Sequence, residues 1–427
     1  MYDLAVIGAG WAGYNAALKA KELGLKVCIL EQDKIGGTCL NYGCIPTKTL
    51  IQSAKIFQLV KKSSSFGIES EKLLVNLQKI QERKDRTVAL LTQGMQSRLK
   101  GLEFIKSSAR IISPNQIEAE NLKIETKYIL IASGSRPVEL PELKFQGSII
   151  SSNDALLLNE IPQSLLVIGG GFIGCEFASL FSGLGSAVTI AEKLPQLLPG
   201  QDREISKKLE VIFSKKGIKV VTGADLLKLN LNDYSRVIVS VGRQANFSGL
   251  GLEKLGIKLS EGSIFVDDYL RTSIDNIYAA GDCASKIMLA HYAAYQGVCA
   301  VRNIVSGNKN KADNSIVPAC IFTEPQISSV GVNEDSALRA GLKIQSHKFD
   351  FRALAMAQVM DEAEGFIKVI SSKDSQEILG ASIIGPLASE LIAIPAIAIS
   401  SRLKIEQLRS VIFAHPTLSE SIHEVIS

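Results

Sequence analysis

Two cysteines with four residues between them, Cys39 and Cys44, stand in the stretch GGTCLNYGCIPTK at residues 36–48. Two thiols at that spacing can share a metal ion, form a structural staple, or cycle between disulfide and dithiol. A metal site needs more ligands at short spacing, and the four histidines (His291, His347, His415 and His423) supply no local cluster. GGTC reads as a loop. CIPTKTLIQSAKIFQLV, from Cys44 onward, reads as a helix, with Pro46 near its start where a missing N–H costs little. Thiols at a helix N-terminus gain thiolate character from the helix dipole. The plain alternative is a buried pair with no redox role, and the flanking glycines weigh against it.

Such a pair needs a framework and something to exchange electrons with. The chain carries an internal repeat that supplies both. LAVIGAGWAGYNAALKAKELGLKVCILE, at the N-terminus, reads as strand, glycine turn, helix, strand and acid. LLVIGGGFIGCEFASLFSGLGSAVTIAE, in the middle of the chain, repeats it. Gly8, Gly10 and Gly13 correspond to Gly169, Gly171 and Gly174. In both copies 23 positions separate the first glycine from the closing acid, Glu31 or Glu192. The first glycine permits a tight turn, the second lets backbone approach a pyrophosphate, and the third lets helix and strand pack closely. The helix N-terminus then faces the phosphates with free N–H groups, and the acid accepts hydrogen bonds from ribose hydroxyls. A single GxGxxG is a weak signal; two complete units with one spacing predict two dinucleotide sites. A carboxylate at Glu192 repels a 2′-phosphate and suits NAD over NADP.

Composition sets the bounds. A chain of 427 residues, 46% hydrophobic, is too long for one core and predicts two to four domains. The net charge of +4, from 47 basic and 43 acidic residues, argues against a nucleic-acid or anionic-membrane surface. No basic or cleavable apolar run precedes the first strand, so no signal or transit peptide is read. LIAIPAIAIS, at 391–400, is about half the ~20 residues of a membrane span. Seven cysteines, most of them single and in apolar surroundings, fit a reducing compartment and a cytoplasmic protein.

The motifs together resemble the pyridine nucleotide-disulfide oxidoreductases, and within that family the branch that oxidises dihydrolipoyl groups. GGTCLNYGCIPTK is similar to the family's redox-disulfide motif, LIASGSRP at 130–137 to the close of the first flavin segment, and GGGFIGCEFA to the NAD motif. TSIDNIYAAGDC at 272–283 is similar to the second flavin motif. MLAHYAAYQG at 288–297 and HPTLSE at 415–420 resemble the lipoamide branch in particular.

The resemblance implies an α/β architecture of two Rossmann-like domains with a C-terminal α+β dimerisation domain. Residues 1–137 and 247–316 would bind FAD, 138–246 would form an inserted NAD domain, and 317–427 would dimerise. FAD would lie on the first repeat and NAD on the second. Cys44 would face the flavin and Cys39 would exchange with the substrate dithiol. Lys48 would lie by the flavin's reactive nitrogen, paired with Glu176, and Asp282 would hold the ribityl chain. His415, oriented by Glu420, would be the base for the incoming thiol and would come from the other subunit of a homodimer. Gly37, Thr38, Ala109, Gly134, Ala290 and Gly242 join the implied cofactor-binding set. His291 reads as a packing or flavin-side residue. The implied partner is a lipoyl-bearing carrier protein of a 2-oxo acid dehydrogenase complex or glycine cleavage system.

The chain departs from the family pattern in places. Only TGADLLKLNLNDYSR spans 222–236, where relatives carry a longer β-meander. Ala245 stands where proline is common, Tyr295 and Gln296 where acids are common, and Pro395 interrupts a helical stretch. Three rival readings remain: an NADPH-dependent disulfide reductase of glutathione-reductase type, a mercuric-reductase type, and a non-catalytic flavin-binding subunit. The mercuric type wants cysteines near the C-terminus, and none follows Cys320.

Overall fold

Three sheets organise the chain. The computed structural model describes residues 1–427, the side chain of Leu227 excepted. The first sheet runs in the order Glu103–Lys106, Val27–Glu31, Tyr2–Ile7, Leu122–Ile131, Gln116–Ala119 and Arg110–Ser113. Ile277–Ala279 also pairs with Leu122–Ile131, in parallel. Tyr2–Ile7 lies in the parallel part, and VCILE, at 27–31, is buried throughout, as a strand covered on both faces should be.

Helix α1 (Trp11–Glu22) turns its small residues Ala12, Gly13, Ala16, Ala17 and Ala20 inward. Small side chains let its backbone approach the helix Ala290–Ser306. A Cβ on Gly297 would fall 2.1 Å from the Ala12 carbonyl oxygen, so this crossing excludes any larger residue.

GGTC is not the loop read from the sequence. Residues Gly37–Asn41 form a short helix, α2, entered through Gly36 at φ +91°, and α3 (Cys44–Lys61) follows almost at once. Five residues are too few to show helical periodicity, so this element leaves little trace in the sequence.

The second sheet is wholly parallel, in the order Lys219–Thr222, Ala187–Glu192, Ser164–Ile168, Arg236–Val239 and Ile149–Ser151. Between Thr222 and Arg236 the chain makes only two single-turn 3-10 helices, Leu226–Lys228 and Leu231–Asp233. This sheet is joined to the first through a two-stranded link. Ser135–Pro137 pairs antiparallel with Arg243–Ala245, with Pro137 opposite Arg243.

The third sheet is antiparallel, in the order Ala319–Ile321, Gln326–Gly331, Ile378–Gly385, Phe366–Ser372 and Ile344–Asp350. FIKVI at 366–370 lies in a strand that leads into a further strand before the helices begin. Pro395 does not break a helix there: the interruption falls at Ile392, and Pro395 sits in the first turn of Ala393–Ser400, where proline is tolerated.

The second and third units meet over a buried charge. The Lys368 side chain, 2% exposed, lies 3.0 Å from Asp202 Oδ2 and 3.1 Å from Glu204 Oε1. Asp202 is also the N-cap of the helix Arg203–Lys215 and accepts from the backbone N–H groups of Glu204 and Ile205.

Candidate active site

The glycine turns have the geometry that the repeat requires. Gly8 and Gly169 take φ of +104° and +102°, a region that side-chain-bearing residues avoid. A Cβ on Gly13 or Gly174 would lie 1.9 Å from the carbonyl oxygen of the first glycine of its own turn. Each strand-end acid closes its turn in the same way. Glu31 accepts from the N–H of Ala9 and of Asp33, both at 2.7 Å. Glu192 accepts from Gly170 at 2.6 Å and Leu194 at 2.7 Å. A carboxylate has about four lone-pair sites, so each acid keeps acceptors for ribose hydroxyls.

A cavity of about 690 Å³ opens in the first unit, at the C-terminal ends of its parallel strands. Gly8, Gly10, Glu31, Gly37, Thr38, Ala109 and Gly134 line it. Gly13 lies behind them in α1. Ala290 begins the helix Ala290–Ser306, and Asp282 follows the strand Ile277–Ala279, where its carboxylate accepts the Ser135 hydroxyl. Gly242, exposed at φ +123°, accepts from Val138 N–H at the two-stranded link. His291 is exposed and contacts the Pro318 carbonyl at 2.8 Å.

One wall residue escaped the sequence reading. Arg243 donates from Nε to Ser135 Oγ and from a terminal nitrogen to the Ser135 carbonyl, both at 2.8 Å. Burial lowers the pKa of its guanidinium. Its hydrogen-bond partners are neutral oxygens, with the Asp282 carboxylate near enough to support the charge, and it presents a cation to the cavity that suits a bound diphosphate. The only sequence sign was its place after Gly242, at a strand end.

Cys39 lies in α2 and Cys44 is the first residue of α3, and both are free thiols. The neighbouring Cys39 thiol, aided by the Lys48 cation, outweighs burial and brings the Cys44 thiol down to about 7. The Cys44 sulfur and burial together push the Cys39 thiol up. Charge on the pair is therefore favoured on Cys44.

Lys48 lies one helical turn beyond Cys44. Its Nζ sits 2.8 and 2.7 Å from the two carboxylate oxygens of Glu176, on the helix Phe172–Leu184 of the second unit. Glu176 also accepts from the Phe322 N–H at 2.9 Å, and Lys48 Nζ lies 4.7 Å from the centre of the Phe322 ring. All three sheet units meet at this pair.

His415 and Glu420 form a pair of their own near the C-terminus. Nδ1 of His415 lies 2.9 Å from Glu420 Oε1, and Glu420 Oε2 accepts from the Thr417 N–H at 2.8 Å. Those two contacts hold the Glu420 carboxyl below its usual range. The His415 side chain is 72% exposed. Among the described residues no hydrogen bond joins it to Cys39 or Cys44.

Residues 2–297 match the family described as pyridine nucleotide-disulphide oxidoreductase, and residues 317–426 match its dimerisation domain. The chain belongs to the pyridine nucleotide-disulphide oxidoreductase family. A dihydrolipoyl dehydrogenase of Bacillus subtilis is 36% identical over 458 aligned positions, covering 99% of this chain and 97% of the relative. One from Chlamydia muridarum is 39% identical, with 98% and 95% covered. The B. subtilis alignment is longer than this chain, so that relative carries residues this one lacks. Among solved structures, LpdA of Mycobacterium tuberculosis superposes with a TM-score of 0.91 at 28% identity, covering 99% of each chain. The HOCl-induced flavoprotein disulfide reductase RclA of Escherichia coli gives 0.90 at 29%, covering 100% and 99%. As a pyridine nucleotide-disulphide oxidoreductase the chain is a flavoprotein enzyme that uses FAD and NAD, and the cavity, its glycine turn and Arg243 fit the flavin dinucleotide. No helix is long and apolar enough to cross a membrane among the described residues.

Proposed function

We propose that this chain is a dihydrolipoyl dehydrogenase working as a homodimer, with FAD on the first repeat and NAD on the second. The observation that carries the reading is the placement of Cys39 and Cys44 at the junction of α2 and α3, beside the dinucleotide cavity and one helical turn from the Lys48–Glu176 pair. Bound FAD and NAD supply the two-electron path from thiol to nicotinamide.

The chain's own residues do the rest. A thiolate of the dihydrolipoyl group attacks Cys39 of the Cys39–Cys44 disulfide, and Cys44 leaves as a thiolate. The α3 N-terminus and Lys48 steady that charge. The second dihydrolipoyl thiol then closes the lipoyl ring and frees Cys39. His415, held by Glu420 and contributed by a second copy of the chain, takes the thiol proton as general base. Its exposure, and the absence among the described residues of any hydrogen bond to the same chain's thiols, support that origin. Asp282 and Gly134 bind the flavin, and Gly169, Gly171, Gly174, Glu192 and Gly242 bind NAD. The substrate is a lipoyl-bearing carrier protein, as the relatives' names support. Apart from the redox pair, the five remaining cysteines form no disulfide, which suits a reducing cytoplasm.

The likeness to RclA favours one alternative, a disulfide reductase run from reduced nicotinamide. Steady-state assays with dihydrolipoamide and NAD+ decide between them. Turnover that is lost in Cys44→Ser supports the dehydrogenase. NADPH-driven disulfide reduction without dihydrolipoamide oxidation would overturn it.

A further inference from the structure

Residues 322–324, just past the first strand of the third sheet, are wedged between helices of the other two units. On one side they are stapled to the helix Phe172–Leu184. The Phe322 N–H donates to Glu176 Oε1 at 2.9 Å, and the Glu324 N–H donates to Ser179 Oγ, about one turn further on, at 3.1 Å. On the other side lies α3. Lys48 and Lys55 are seven positions apart and so share one face of that helix. Both reach the segment: Lys55 Nζ lies 3.3 Å from Glu324 Oε2, and Lys48 Nζ lies 4.7 Å from the centre of the Phe322 ring.

With its backbone pinned to one helix, Phe322 can offer its ring only toward the other. The Lys48 ammonium has three N–H groups. The two Glu176 oxygens hold it from one side, at 2.8 and 2.7 Å, and the ring covers another. An aromatic face attracts a cation, and it takes the place of water that would otherwise compete with the carboxylate. Lysine is a compact charge on a flexible four-carbon stem, so such a cover decides where the charge rests.

We propose that Phe322 is a positioning residue for the redox centre, its ring pressing the Lys48 ammonium against Glu176 so that the cation stays fixed one helical turn from Cys44. The inference rests on the reading above in which Cys44 faces the flavin as a thiolate. Phe322 acts through Lys48: without the ring the ammonium is hydrated and mobile, and its hold on the Cys44 charge weakens.

Dithionite brings the holoenzyme to its two-electron-reduced state without substrate, and the thiolate band recorded against pH gives the Cys44 midpoint. Phe322→Leu should raise that midpoint by about half a pH unit, a roughly threefold fall in the acid constant. Phe322→Tyr keeps an aromatic face and should hold the wild-type midpoint. In a Lys48→Met background Phe322→Leu should add nothing, because the cation it acts on is gone. A residue that only filled space would move the midpoint equally in both backgrounds or in neither, and either result overturns the proposal. Should Phe322→Leu fail to fold, phenylalanine bearing three ring fluorines, incorporated at position 322, nearly keeps the size of the side chain while draining negative charge from its face. The midpoint should again rise, and an unmoved midpoint refutes the role. A wild-type holoenzyme with no thiolate band would sink the thiol-to-flavin reading and this inference together, whereas a band indifferent to the ring sinks this inference alone.

Discussion

Lys48 and Glu176, 128 positions apart, form a two-oxygen ion pair at 2.8 and 2.7 Å that fastens the thiol-bearing helix to the second nucleotide unit. The pair acts on Cys44 with opposite signs: the lysine favours the thiolate and the carboxylate opposes it.

Substitutions at the two positions should therefore move the Cys44 titration in opposite directions. Lys48→Met should raise the midpoint from about 7 toward the ordinary thiol value of 9.0 by about one pH unit. Glu176→Gln should lower it. The thiolate band of the reduced holoenzyme, recorded against pH, reads both. Below the midpoint the band fades as Cys44 takes up its proton, and above it the band persists. Shifts of the same sign would refute this electrostatic account.

Glu192 should govern the choice of nicotinamide dinucleotide. Its carboxylate ties down the Gly170 and Leu194 N–H groups and would repel a 2′-phosphate. Glu192→Gly should reduce kcat/KM for NAD+ about 10- to 100-fold, the loss expected when charge-assisted hydrogen bonds go. The ratio of NADP+ to NAD+ efficiency should rise. An unaltered ratio would show that selectivity lies elsewhere.

His415→Gln should cost about 10²- to 10⁴-fold in turnover, the usual contribution of a general base. Its side chain is 72% exposed, so thermal stability should hardly change. Mixing Cys44→Ser with His415→Gln subunits tests its origin. If each site draws the base from the other copy, a mixed dimer contains one intact site and one doubly damaged site, and activity returns. Mixing that restores nothing argues for a base within each chain.

Lys368 and Asp202 are 2% and 1% exposed at their side chains. Removing one member strands a buried charge, which costs about 3–5 kcal/mol. Lys368→Met should lower the first thermal transition by roughly ten degrees. Lys368→Met with Asp202→Asn should recover most of the loss, because the neutral amide removes the stranded charge and still accepts the Glu204 and Ile205 N–H groups at the helix N-terminus. Calorimetry of the three proteins gives the comparison.

The sequence carried these features unequally. The two nucleotide units were legible because glycine, helix and acid recur at one spacing, and the steric limits at Gly13 and Gly174 explain why that spacing is rigid. The thiol pair was legible through its neighbours. The helix α2 was not, since five residues show no period. Arg243 was missed because one arginine after a strand resembles any other until Ser135 and the cavity surround it. Lys368 likewise reads as an ordinary strand lysine; only the fold brings Asp202, 166 positions away, to meet it. Short-range chemistry leaves a local signature, and electrostatic partners across sheets leave none.

The two-stranded link between Ser135–Pro137 and Arg243–Ala245 has a consequence for how such a molecule can be rearranged. Pro137 and Arg243 stand side by side, so the polypeptide departs and returns through adjacent points. Everything between them is a guest segment, but one moored to its host by the Lys48–Glu176 and Lys368–Asp202 pairs and by a shared apolar core. Excising residues 138–242 and bridging the gap with a tight hairpin should therefore leave a folded flavin-loading protein only where Lys48 and Lys368 are also made apolar, since their partners depart with the guest.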